Sequence, residues 1–468
     1  TAVLTATVQG EPNNFDTITL TSSAEAVYGV SASGTGLLVG LPGTTVTHTV
    51  TITNEGNTFD KFAVELGTAV WNTQLGQASI GLAAGATGSV VVTVDIPADA
   101  LFGDNDSVVI GVISQGDDTQ TADVTLTTEA GVFYAVSVAG TGPLGGLPGT
   151  TVTHTVTITN EGNISDTFDV ELGKSGWNTV LGQATITLAA GASGTVAVAV
   201  DVPVDAVSGD SDSVVATATS QGNGKQTAAT TLITQAGAVY ALSVSGTGTL
   251  IGLPGTTVTH TVTITNDGNA SDTFDVEVGK SGWNTVLGQA TITLAAGASS
   301  TVAVAVDVPV DALDGDSDNV VATATSQGDG TQTADVTLTT QAGTVYALSV
   351  VGTGTLTGEV GTTVTHTMTI TNDGNVSDTF DVSAGTAVWA TVLGETSVTL
   401  AAGASATVQV VVTVPVTATD GEMDSVVVTV TSQGDDTQTA AVTLTTVAQV
   451  TEVEPPMTNI YLPIIMRP

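Results

Sequence analysis

Four histidines, His48, His154, His260 and His366, stand 106 residues apart, each inside Thr-Val-Thr-His-Thr. An imidazole can ligate a metal or move a proton, but zinc needs several nitrogen or sulfur ligands converging on one point. No second His and no Cys lies near any of the four. Each is therefore expected to be a hydrogen-bonded core residue. Serine is abundant, yet the sharp Gly-flanked turn that exposes a catalytic serine is missing, so no enzyme is expected.

Acidic loops supply the other candidate chemistry: Asp99, Asp104 and Asp106; Asp205, Asp210 and Asp212; Asp311, Asp314, Asp316 and Asp318; and a thinner set, Asp420, Glu422 and Asp424. Calcium takes six to eight oxygens from flexible loops, and Asp311, Asp314, Asp316 and Asp318 form the best calcium candidate. Turn-forming, solvated aspartates are the competing reading, and the one the pattern favours. Asn105, Asn163, Asn269 and Asn375 each open an Asn-x-Ser triplet, and Asn57 at the matching place does not. In a secreted chain these are glycan acceptors, but Asn also suits such turns by conformation alone.

Composition narrows the partners. The formal net charge of −40 arises because 45 acidic residues face only five basic ones. A surface so poor in Lys and Arg cannot neutralise phosphates, which argues against nucleic acid and anionic membranes. No cysteine is present, so neither disulfides nor thiolate metal sites are expected. No apolar run approaches the ~18 residues needed to span a bilayer, and no membrane insertion is expected.

The elements that position these residues repeat. Trp71, Trp177, Trp283 and Trp389 share the 106-residue step, as do Tyr28, Tyr134, Tyr240 and Tyr346. Such a period predicts a string of small domains. In residues 132–237, Thr151 to Thr159 alternate, with Val152, His154, Val156 and Ile158 on one face and threonines on the other. Val196, Val198, Val200 and Val202 form a second inward row. Further strands are expected at 133–139, 167–172, 179–181, 185–188, 213–220 and 227–234. Between them lie turn formers such as Leu147-Pro148-Gly149 and Glu161-Gly162-Asn163. No stretch has a helical period. Seven or eight short strands per unit predict a two-sheet antiparallel sandwich, its gap filled by the single Trp. The expected architecture is all-β: a partial repeat at 1–25, four immunoglobulin-like repeats at 26–131, 132–237, 238–343 and 344–449, and a Pro-containing spacer and apolar tail strand at 450–468. Joints this short predict a semi-rigid rod, on the order of 120 to 150 Å at ~3.3 Å per strand residue.

The run from Thr151-Val152-Thr153-His154 through Thr159-Asn160-Glu161-Gly162-Asn163, the Ala190-Gly191-Ala192 lead into a Val-rich strand, and Pro203, Ala206, Gly209 and Asp210 resemble the immunoglobulin-like modules of bacterial surface proteins. The likeness is to the CARDB-type adhesion modules and the related sandwich attached to some α-galactosidases. It covers residues 26–449 and implies a fold that serves as spacer, adhesin or carbohydrase accessory. It also implies that a unit's first strand can pair with its last. The ending Asn459-Ile460-Tyr461-Leu462-Pro463 resembles the short Tyr-Leu-Pro endings of secreted proteins in some filamentous bacteria.

The two ends complete the reading. Gln9-Gly10 aligns with Gln433-Gly434 on a shift of four repeats, which sets Leu4 on Val428, Ile18 on Val442 and Leu20 on Leu444. The chain is thus expected to open with the last two strands of a fifth unit, a hairpin with an unprotected apolar face. Ile460, Tyr461, Leu462, Ile464 and Ile465 form an apolar tail that resembles the start of a unit's first strand. Docking of this tail on Leu4, Ile18 and Leu20 of the next molecule is strand addition, and a contact that does not close builds a fibre. A proteolytic boundary within a longer stalk, with the tail as a wall-attachment segment, is the alternative origin of the two ends. The expected function is a structural subunit of an extracellular bacterial filament or sheath at the cell surface. Its partners are copies of itself, with glycans as possible decoration. The other reading is a monomeric stalk or adhesin that binds carbohydrate or protein through its loops. No cofactor beyond calcium is expected.

Overall fold

The computed structural model describes residues 1–452 and 454. All regular structure among them is β, in 38 strands, and they fall into two compact units, 1–237 and 238 onward. The first holds a hairpin and two nine-strand repeats, and the second holds two more repeats.

The hairpin consists of β1 (Ala2–Thr7) and β2 (Phe15–Leu20). The first repeat runs through β3 (Val30–Gly34), β4 (Leu37–Gly40), β5 (Thr45–Asn54), β6 (Asp60–Leu66), β7 (Asn72–Leu75), β8 (Ser79–Leu82), β9 (Thr87–Asp95), β10 (Asn105–Ser114) and β11 (Thr121–Ala130). One sheet has the order β3-β5-β9-β7, and the other β4-β11-β10-β6-β8. The remaining repeats have the same two sheet orders.

Alternation explains the sandwich. Along β5 the threonines point outward, while His48, Val50 and Ile52 are fully buried against the facing sheet. Each buried Val or Ile contributes roughly 1.5 to 3 kcal/mol relative to exposure. β-branched residues on both faces favour the extended backbone.

Three expectations are corrected. First, a unit's first strand does not pair with its last: β3 pairs antiparallel with β5, and β11 takes the short β4 in parallel. The chain crosses from one sheet to the other at Thr35-Gly36. Gly36, Gly248 and Gly354 take φ of 69°, 66° and 68° at this crossing, a region a side chain disfavours. Second, each unit has nine strands, because this short parallel strand carries too few residues to show a period. Third, the centre of the core belongs to Phe62, Phe168, Phe274 and Phe380, all with no exposed surface. Trp71 and Trp389 instead join smaller clusters, Trp71 with Val94, Ile96, Ala100 and Ala130, whereas Trp177 and Trp283 pack against both the main core and its smaller neighbour. The tail residues Ile460, Tyr461, Leu462, Ile464 and Ile465 lie outside the described residues.

Candidate functional site

The hairpin copies the end of a complete repeat. Leu4 stands opposite Ile18 and Ala2 opposite Leu20. Four repeats later, in the strands Met423–Ser432 and Thr439–Gln449, Val428 stands opposite Val442 and Val426 opposite Leu444. Burial is what differs. Val428 and Leu444 are 0% and 1% exposed, whereas Leu4, Ile18 and Leu20 are 62%, 60% and 53% exposed. A two-stranded ribbon with one uncovered apolar face is marginal in water and offers a ready surface for association.

A second feature is the joint inside each compact unit. Asn163 accepts the backbone N–H of Phe133 on Oδ1 at 2.7 Å, and its Nδ2 donates to the carbonyls of Gly131 (2.9 Å) and Ala100 (3.2 Å). Phe102 N–H donates to the Asn163 carbonyl at 3.0 Å. One residue therefore ties the loop between β9 and β10 of the first repeat to the leading segment of the second. Asn375 repeats the arrangement with Val345, Gly343 and Ala312 at 2.7, 2.9 and 3.2 Å, and it receives Asp314 N–H at 3.0 Å. Beside each clamp opens a cleft. One, of about 330 Å³, is lined by Pro42, Asp99, Leu101, Phe133 and Glu161 among others. The other, of about 350 Å³, is lined by Pro254, Asp311, Leu313, Val345 and Asp373 among others.

The one trace of this clamp in the sequence is that Asn57, Asn163, Asn269 and Asn375 carry the repeat period. It also bears on the Asn-x-Ser triplets. A glycan on Asn163 or Asn375 would have to displace the Nδ2 bonds to two carbonyls. Asn269 accepts Val239 N–H at 2.6 Å. Asn105 is exposed, its Nδ2 donating to the Gly103 carbonyl at 3.2 Å.

The acidic loops spend their carboxylates separately. Asp316 accepts Leu313 N–H at 2.9 Å, as Asp104 and Asp210 do from Leu101 and Val207. Asp314 accepts the Thr344 hydroxyl at 2.6 Å. Asp318 turns away to the Ser281 hydroxyl and to the N–H groups of Gly282 (3.0 Å) and Trp283 (3.2 Å). Burial pushes the Asp318 carboxyl up, but these hydrogen bonds and one from Asn319 N–H hold it below the usual carboxylate range. Asp311 lines the cleft described above. Among the described residues no group of three or more His, Cys, Asp or Glu could hold a metal ion.

Each histidine is fully buried and uses both ring nitrogens on threonine hydroxyls. His154 Nδ1 meets Thr141 at 2.9 Å and Nε2 meets Thr234 at 2.8 Å. His48 does the same with Thr35 and Thr128. Burial pushes all four imidazoles below their ordinary pKa, so each is neutral near pH 7.

Comparison with known proteins finds tandem-repeat chains. No protein-family model matches, the CARDB-type modules included, and no curated protein matches. Among solved structures, the protocadherin γB4 extracellular domain aligns at 13% identity and TM-score 0.42, covering 94% of this chain and 69% of that one. Extracellular cadherin domains 1–5 of protocadherin γB2 align at 11% and 0.45, covering 90% and 80%. A tetra-tandem repeat from the extending region of a large adhesion protein aligns at 16% and 0.26, covering 90% and 98%. These neighbours are extracellular and adhesion-type repeat arrays. At such identities and TM-scores the likeness carries no argument about chemistry or partners.

Proposed function

We propose that this chain is a structural subunit of an extracellular bacterial filament or sheath at the cell surface. It assembles head to tail, the tail at residues 460–466 of one molecule covering the N-terminal hairpin of the next, and it performs no catalysis. The observation that carries this reading is the hairpin itself. It has the strand register of a complete repeat, yet Leu4 and Leu20, whose counterparts Val428 and Leu444 are buried, lie open here. The self-contact is heterologous and does not close, which is the condition for a fibre. The threonine-rich outer faces keep such an array soluble without basic residues, and exposed Asn105 is the triplet most open to a glycan. Electron microscopy of the purified full chain tests the proposal against a chain lacking residues 457–468. Long fibres from the first and single molecules from the second support it; equal lengths overturn it.

The clefts favour a second reading, that of a monomeric stalk or adhesin. Each combines apolar walls with two acidic residues and recurs at the same place in both compact units. Isolated molecules that bind an immobilised ligand with full-length and truncated chains alike would support it.

A further inference from the structure

The last hairpin turn of a complete repeat follows one pattern, and the second repeat departs from it. The first, third and fourth repeats place Asp117, Asp329 and Asp435 in this turn, followed two residues on by Thr119, Thr331 and Thr437. Each carboxylate is held by three donors. Asp329 accepts the Thr331 hydroxyl at 2.7 Å, the Thr331 N–H at 3.0 Å and the Gln332 amide at 3.4 Å, and Asp117 and Asp435 are held in the same way. The second repeat has Asn223-Gly224-Lys225, the only Asn-Gly pair in the sequence. With lysine in place of threonine the hydroxyl is gone. Among the described residues the Asn223 side chain keeps a single hydrogen bond, from Lys225 N–H to Oδ1 at 3.3 Å. Gly224 is exposed, nothing lies within 4 Å of where a Cβ would stand, and its N–H has no hydrogen-bond partner among the described residues.

We propose that Asn223-Gly224 is a self-modification site, at which the chain converts its own asparagine to aspartate and isoaspartate. The Gly224 nitrogen attacks Cγ of Asn223, and a C–N bond forms as the Cγ–Nδ2 bond breaks. The proton of Gly224 N–H goes to Nδ2, which departs as ammonia and leaves a five-membered cyclic imide. Water then adds to either imide carbonyl. Opening on the side-chain side gives aspartate, and opening on the main-chain side gives isoaspartate. One water enters, one ammonia leaves, and nothing is oxidised or reduced. The Lys225 N–H points at the oxygen on which negative charge develops, and glycine leaves the attacking nitrogen uncrowded. The matching turn of the third repeat, Asp329-Gly330, has the same backbone hydrogen bonds but is spared. The Thr331 hydroxyl, followed by its N–H, holds the Asp329 carboxyl below the usual range, and an ionised carboxylate repels a nucleophile. The aspartyl product supplies the carboxylate that the other three turns already have. The isoaspartyl product lengthens the main chain beside Gly222, where a Cβ would stand only 2.1 Å from the Tyr134 ring.

Peptide mapping by mass spectrometry, on the full chain held folded in warm, mildly alkaline buffer, reads the conversion. A mass gain of amide-to-acid size is expected to accumulate on the peptide containing Asn223, in two chromatographically separate forms. Asn178 and Asn284, each followed by threonine, are expected to keep their amides. Gly224→Ala enters open space and should slow the conversion about tenfold by crowding the attacking nitrogen. Lys225→Thr returns the missing hydroxyl and should slow it about threefold; an unchanged rate overturns the role given to that hydroxyl. Asn223→Asp is expected to keep the melting temperature of the starting chain. An amide at 223 that outlasts the incubation, or one lost as fast in Gly224→Ala, overturns the proposal. So does a folded chain that converts far more slowly than the same chain in urea, because the turn would then hinder the attack.

Discussion

A buried imidazole between two threonine hydroxyls is a proton sensor by default. His154 is held below its ordinary pKa by burial, so the folded chain binds fewer protons than the unfolded one. The stability it contributes is complete above the unfolded pKa, about 6.5, and declines as pH falls below it. Hydrogen-exchange protection of the strand Thr151–Asn160 is expected to weaken between pH 7 and 5, and His154→Gln to flatten that dependence. His154→Leu leaves the buried Thr234 hydroxyl without its partner and should cost about 1 to 3 kcal/mol at pH 7, read from the same protection. Half-buried Asp95, Asp201 and Asp307 act in a lower window. Thr45, Thr151 and Thr257 hydroxyls, followed by the amides of Asn72, Asn178 and Asn284, hold these carboxyls below their ordinary range. Their contribution is present above pH ~4 and lost below it. Because Asp314, Asp316 and Asp318 are spent on separate backbone and hydroxyl donors, added calcium or chelator should leave the melting temperature unchanged; a rise with calcium would support Asp311, Asp314, Asp316 and Asp318 as a site.

Strands, turns and joints carry the next level of specificity. Gly222→Ala forces a methyl group into the Tyr134 ring and should cost about 1 to 3 kcal/mol, an effect that shrinks when Tyr134 is also changed to Ala. Asn163→Ala removes the side-chain part of the tie between the first two repeats, so the Phe133 amide should exchange faster while those of Thr151–Asn160 keep their protection. The strand pattern of each repeat was legible because Thr-Val-Thr-His-Thr-Val-Thr-Ile alternates without a break, and burial follows that alternation. The short parallel strand Leu144–Gly146 was not legible, because three residues with two glycines have no period. Nothing in the sequence ranks Phe168 above Trp177, since burial depends on a strand's place in its sheet, which a list of aromatic residues does not reveal. The hairpin could be read from the 106-residue step alone. The Asn163 clamp could not, because its partners, Ala100 and Gly131, are backbone carbonyls of another repeat and of a connecting loop.

At the scale of the whole chain, charge decides which encounters succeed. With a formal net charge of −40 and five basic residues, the protein should not be retained on duplex DNA or on anionic vesicles at physiological salt, as a flotation or mobility assay would show. The same charge sets a repulsion between copies that salt must screen before apolar ends can meet. Fibre formation should therefore quicken as ionic strength rises from 10 to 150 mM, where the screening length drops from about 30 Å to about 8 Å; slower growth with added salt would mean that the contact depends on attraction between charges. One more consequence follows from the strand Thr-Val-Thr-His-Thr-Val-Thr-Ile-Thr-Asn, which recurs letter for letter in the first three repeats. The partner strands of the second and third repeats, Ser193–Asp201 and Ser299–Asp307, differ at one position, so local affinity distinguishes little between correct pairing and exchange of these two domains. Order of emergence from the ribosome must supply that distinction, and a chain denatured whole and released at once is expected to lose part of its material to cross-paired traps.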